Sequence, residues 1–87
     1  MLRITREARN GRTRLRLEGR VVGPWVGELA GSCARVPGDG AGLELELAGV
    51  SFLDRDGVRL VRRLASRGVT ILGCSQFVRA QLEGGQP

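Results

Sequence analysis

The 87-residue chain contains no histidine, no tyrosine and no lysine. A general acid and a general base need titratable partners, and three of the usual ones are missing. No G-x-S-x-G, Walker or H-E-x-x-H pattern supplies a nucleophile, a phosphate cradle or a metal pair, so the expectation is a protein without enzymatic activity or cofactor. Aromatic residues stop at Trp25, Phe52 and Phe77, which leaves no platform on which single-stranded bases could stack. Long apolar runs are absent too. With no stretch of 18 apolar residues and no apolar signal core in "MLRITREARNGR", the sequence predicts a cytoplasmic protein without membrane insertion. The two cysteines, Cys33 and Cys74, stand far apart without a CxxC pattern, so they offer neither a zinc site nor a disulfide framework. Both read as small buried hydrophobes.

What is present is arginine. Fourteen of them against nine acidic residues give a net charge of +5, which raises the question of nucleic acid or an acidic partner. The arginines are interleaved with acids instead of forming one block, so a basic nucleic-acid-binding domain ranks last among the readings. The length sets a second bound. One domain over residues 1–83, followed by a frayed tail at 84–87, buries only somewhat more than ~60% of its unfolded surface. A deep ligand cavity would consume much of such a core, which favours binding at the surface.

Leu2 and Ile4 alternate with Arg3 and Thr5, Asn10-Gly11 is a hairpin signal, and Thr13 to Glu18 alternates again, so the fold opens on a β-hairpin. The flanks leave room for a loop longer than the two turn residues. From Pro24 to about Arg35, Trp25, Val26, Leu29, Ala30 and Cys33 recur at helical spacing. "PGDGAG" is a loop, and "LELEL", Leu43 to Leu47, is a strand with leucines on one face and Glu44 and Glu46 on the other. Strict alternation means that one sheet face stays open to water. If this strand neighbours the one carrying Arg12, Arg14 and Arg16, arginines and glutamates lie side by side on that face. A second helix from about Gly57 to Ser66, a short strand at Val69 to Leu72 and a last helix from Ser75 complete the order β-β-α-β-α-β-α. The expectation is a small α/β domain with a mixed four-stranded sheet and its helices on one face.

The centre of the chain, "VSFLDRDGVRLVRRL", sets three charges between a strand and a helix. Asp54 is placed to cap the helix, and Asp56 falls in the first turn, where the helix dipole favours a negative charge. A metal site is not expected from this pair, because Arg55 stands between them and no third ligand is evident.

Three segments, "LRLEGRVVGPWVGEL", "LELELAGVSFLDRDGVRLVRRL" and "GVTILGCSQFVRAQLE", resemble the STAS domain of anti-sigma factor antagonists, with similarity running from about Leu2 to Leu82. The most specific part is Gly-Val-x-Phe-Leu-Asp, two residues, then Gly57 and an apolar helix. The resemblance implies a protein-binding module whose partner is an anti-sigma factor or kinase-like protein. It also implies a binding face made of Asp54, Arg55, Asp56, Gly57, Arg59 and the loop from Gly23 to Trp25. In that family the residue after the aspartate is a serine that the partner kinase phosphorylates to release the antagonist. Here that position is Arg55, which has no hydroxyl, so the resemblance implies a module without its own serine switch. Ser51 and Ser75 are other hydroxyls, each with a plain reading as a strand-end or cap residue. Trp25 has a plain reading as a core filler, and Arg59, Arg62 and Arg63 as a solvated helix face. The alternative within the same fold is a cytoplasmic accessory subunit that docks on the ATPase of a lipid-transporting ABC system.

Overall fold

Asn10 and Gly11 alone make the first turn in the computed structural model, which describes residues 1–38 and 40–84. Both take positive φ, 52° and 77°, as a two-residue hairpin turn with the twist of its strands demands. The turn is therefore tighter than its flanks suggest, because pairing of β1 (Leu2–Arg9) with β2 (Arg12–Val21) runs down to Arg9 opposite Arg12. Helix α1 (Pro24–Ala34), strand β3 (Leu43–Leu53), helix α2 (Arg55–Ser66), strand β4 (Thr70–Leu72) and helix α3 (Gln76–Gly84) follow. The sheet order is β1-β2-β3-β4, antiparallel in the first pair and parallel in the next two. This is the mixed four-stranded α/β architecture that the sequence predicts. Two ends differ from the reading. Gly84 belongs to α3 instead of a tail, and residues 85–87 lie outside the described residues. Helix α2 starts two residues earlier than Gly57, since Asp54 ends the extended chain and Arg55 is already helical.

The alternation of β2 and β3 divides their side chains. Leu15 and Leu17 of β2 and Leu45 and Leu47 of β3 are buried together with Leu29 of α1, Val61 of α2 and Val78 of α3, so the helices share one core over one sheet face. On the opposite face Arg14 lies in register with Glu44 and Arg16 with Glu46. Arg14 Nε donates to Glu44 Oε1 at 3.1 Å, Arg12 Nη1 to Glu44 Oε2 at 3.2 Å, and Arg16 Nη2 to Glu7 Oε2 at 2.9 Å. Hydrogen bonding from Arg14, then from Arg12, holds the Glu44 carboxyl below its ordinary pKa against the opposing effect of desolvation. The arginine-glutamate ladder absorbs Arg3, Arg12, Arg14 and Arg16 with four glutamates, so the excess of positive charge falls elsewhere.

β4 pairs only with Glu44 to Glu46, which leaves the far end of β3 without a neighbouring strand on that side. A side chain from α3 takes the strand's place. Leu53 N–H donates to Gln81 Oε1 at 3.0 Å, and Gln81 Nε2 donates back to the Leu53 carbonyl at 2.7 Å. One glutamine amide thus satisfies both backbone groups of the last β3 residue and fixes α3 against the sheet.

Candidate functional site at the junction of β3 and α2

The junction is built on one carboxylate with two tasks. Asp54 keeps extended backbone angles (φ −82°, ψ −176°), and its Oδ1 accepts from the Gly57 N–H at 2.8 Å, the geometry of a helix cap. Its Oδ2 accepts from the Gly23 N–H, also at 2.8 Å. Gly23 is the residue before α1, and no side chain caps that helix from its own sequence. Asp54 therefore caps α2 and ties down the entry to α1, so the two helix N-termini are held side by side. The Asp54 N–H in turn donates to the Val21 carbonyl at 3.2 Å, extending the β2–β3 pairing to the edge of the site.

Gly57 is buried for a steric reason. A Cβ at this position would stand 2.7 Å from the Val21 carbonyl oxygen and 3.3 Å from Asp54 Oδ1, so the first turn of α2 rests directly on the backbone of β2. Only the absence of a side chain lets the helix approach close enough for Asp54 to reach both amides. The Asp-x-x-Gly spacing is thus a packing requirement.

With Asp54 and Gly57 facing inward, the two residues between them face out. Arg55 and Asp56 are exposed, and neither makes an ion pair among the described residues. Asp56 supplies the negative charge that the helix dipole favours. Arg59 is exposed one turn further on. An open groove of about 840 Å³ runs beside them between α2 and α3, with Phe52, Val58 and Ala80 along it and Arg55, Arg59 and Arg62 on the α2 side. Trp25 is not part of this groove. It packs partly buried against the core and lines a separate depression with Leu2, Ile4 and Leu15 at the other side of α1. The structure therefore gathers Asp54, Arg55, Asp56, Gly57 and Arg59 at one junction with Gly23 beside them, while the Trp25 side chain lines a different depression.

Both oxygens of Asp54 are engaged by backbone amides, and no group of three or more histidine, cysteine or carboxylate side chains among the described residues converges on a point where a metal could sit. Ser51 Oγ donates to the Gly19 carbonyl at 3.5 Å, and Ser75 Oγ accepts from the Val78 N–H at 3.1 Å as the cap of α3. Cys33 and Cys74 pack partly buried against the core, and burial pushes the Cys33 thiol up to about 11, far from a reactive thiolate. Gln81, which closes the groove against β3, carried no signal in the sequence, since a single polar residue in a short helix is ordinary.

The chain matches no family model and no curated protein. Among solved structures it is similar to one described as "Crystal Structure Analysis of Mglu", with a TM-score of 0.60 and 25% sequence identity over 78% of this chain. The likeness spans 18% of that longer chain, so the same fold occurs there as one part of a larger protein.

Proposed function

We propose that this chain is a STAS-domain protein-binding module, an anti-sigma factor antagonist-like regulator of bacterial transcription or a signalling-scaffold component, acting in the cytoplasm without its own serine switch. The observation that carries the reading is the β3–α2 junction. Asp54 is consumed in holding two helix N-termini, so the rigid turn displays the next two side chains, Arg55 and Asp56, to solvent. In STAS domains of this kind that displayed position carries the phosphorylated serine. A guanidinium there offers no hydroxyl to a serine kinase, so binding is constitutive or is regulated elsewhere. A permanent contact also suits the second reading, an accessory subunit docked on the ATPase of a lipid-transporting ABC system, because such a subunit needs no release step.

Capture from native lysate with the wild type and an Arg55→Ser variant, followed by identification of the retained protein, separates these readings. An anti-sigma factor or kinase, held by the wild type and altered in retention by the substitution, is the expected result. A transporter ATPase supports the second reading, and its gene would stand beside that of a permease. Capture that is identical for the two proteins, with neither chain modified, contradicts a role for the junction.

A further inference from the structure

The positive charge of the chain is unevenly spent. Four arginines are matched by four glutamates across the open sheet face, whereas α2 carries Arg55, Arg59, Arg62 and Arg63 with no ion pair among the described residues. Of the acids near them, Asp54 accepts from the Gly23 and Gly57 amides, Asp56 stands beside Arg55, and Glu83 of α3 shares a separate depression with Arg62, so the four arginines outnumber the three carboxylates. Arg55, Arg59 and Arg62 follow one another at helical spacing along one side of the groove, a row of about 10 Å at the rise of an α-helix. Arg62 is fixed in place, its Nε donating to the Leu82 carbonyl at 2.8 Å across to α3. The groove beside the row has apolar lining in Phe52, Val58 and Ala80. Phe77, which is 57% exposed, stacks on the groove residue Phe52 with ring centroids 6.2 Å apart, while the Arg20 guanidinium lies 5.6 Å from the Phe52 ring centre.

We propose that the α2–α3 groove binds an acidic amphipathic segment of the partner protein, with carboxylates seated on Arg55 and Arg59 and an apolar side chain set between Val58 and the Phe52–Phe77 pair. The inference rests on the reading of this junction as a protein-binding face and adds the chemistry of what binds there. The apolar lining calls for an apolar anchor, which a nucleic-acid backbone does not offer. A second copy of this chain is a poor occupant, since its net charge is +5. Arg55 then acquires a role of its own. Where the related domains carry a serine that gains negative charge, this chain carries a permanent cation that begins the arginine row and selects a partner of opposite sign.

The test is an amide-resolved NMR titration of the full chain with two synthetic peptides of about 15 residues, long enough to hold a helix. One carries glutamates at i, i+4 and i+7 beside a leucine face, and its twin carries glutamines instead. The glutamate peptide is expected to shift the amides of Arg55, Val58, Arg59 and Ala80 and to bind at least tenfold more tightly than the twin. The double variant Arg55→Glu/Arg59→Glu, both sites being exposed, is expected to lose that binding and to bind a lysine version of the peptide. The proposal is overturned if neither peptide binds up to roughly 1 mM, if the twin binds as well, or if the shifts lie away from the groove. Tighter binding of phosphatidylglycerol–phosphatidylcholine vesicles or of a DNA duplex through the same arginines overturns it too. An anti-sigma protein captured equally by wild type and double variant sinks this inference and leaves the signalling reading standing. Glutamate-peptide binding in the groove without any anti-sigma partner does the reverse.

Discussion

Removing the Asp54 carboxylate is expected to loosen two helices at once. Its Oδ1 bond to Gly57 is a helix cap, worth about 1 kcal/mol. Its Oδ2 bond to Gly23 is a charge-assisted bond to an amide with no other acceptor among the described residues, worth about 1.5 kcal/mol. Asp54→Ala should therefore cost about 2 to 3 kcal/mol, a large share of the stability of a small domain. For a chain of this size that corresponds to a fall in melting temperature of about 10 to 20 °C. Asp54→Asn sharpens the test, because an amide has one accepting oxygen and must turn a donor toward the other N–H. It should lose about 1 to 2 kcal/mol, between alanine and the wild type. Urea denaturation followed by circular dichroism reads the midpoint, and the slope should be unchanged if only the folded state is affected. An asparagine variant within about 0.3 kcal/mol of wild type, inside the range of ordinary surface substitutions, would show that the bond to Gly23 contributes nothing. The account of two tied helix N-termini would then be wrong.

Gly57→Ala is expected to destabilise by about 1 to 3 kcal/mol despite alanine's better helix propensity, because its Cβ would press on the Val21 carbonyl. Gly27→Ala, also within a helix but with open space around the new methyl group, should stabilise by about 0.5 to 1 kcal/mol, and thermal melts of the pair separate packing from propensity. Gln81→Leu leaves the Leu53 N–H and carbonyl without their partner at the strand end, and a loss of about 1 to 3 kcal/mol in urea melts is expected, with faster hydrogen exchange at Leu53. Glu44 has a lowered pKa in the folded chain, so its contribution is fully present above its ordinary value of 4.5 and is lost as the pH falls through the lowered one. Stability measured from neutral to acid pH should show this loss, and Glu44→Gln should flatten the acidic limb; an unchanged limb would contradict the role given to the Arg12–Arg14–Glu44 cluster.

The strands and helices were legible wherever one periodicity ruled a whole segment. The leucines of Leu43 to Leu47 and of Leu15 and Leu17 could face only one way, and, given that the two strands are neighbours, the arginines and glutamates between them meet on the other face. The Asn10-Gly11 turn was legible as chemistry and not as length, because how far β1 and β2 continue to pair depends on the strand residues that flank it. At the site, the Asp54 cap followed from local spacing, but its second bond did not. Gly23 lies 31 residues away, and only the tertiary approach of α1 brings its amide to Oδ2. Gly57 was visible as part of a pattern, while its reason, the Val21 carbonyl beneath it, is a contact between elements. Trp25 shows the same limit in the opposite direction, since helical spacing put it on an apolar face without saying which groove that face would meet. Gln81 was silent, because a side chain standing in for a strand leaves no periodic trace.

As the proposed STAS-like binding module, the chain displays Arg55 on an exposed turn at the position where such domains carry a phosphorylatable serine. The most direct measurement is to incubate the chain with an anti-sigma kinase from the same genome and ATP, then to weigh the intact protein and follow the complex by calorimetry. A complex that persists in ATP and a chain of unchanged mass are expected. Incorporation of one phosphate per chain, with release of the partner, would contradict it.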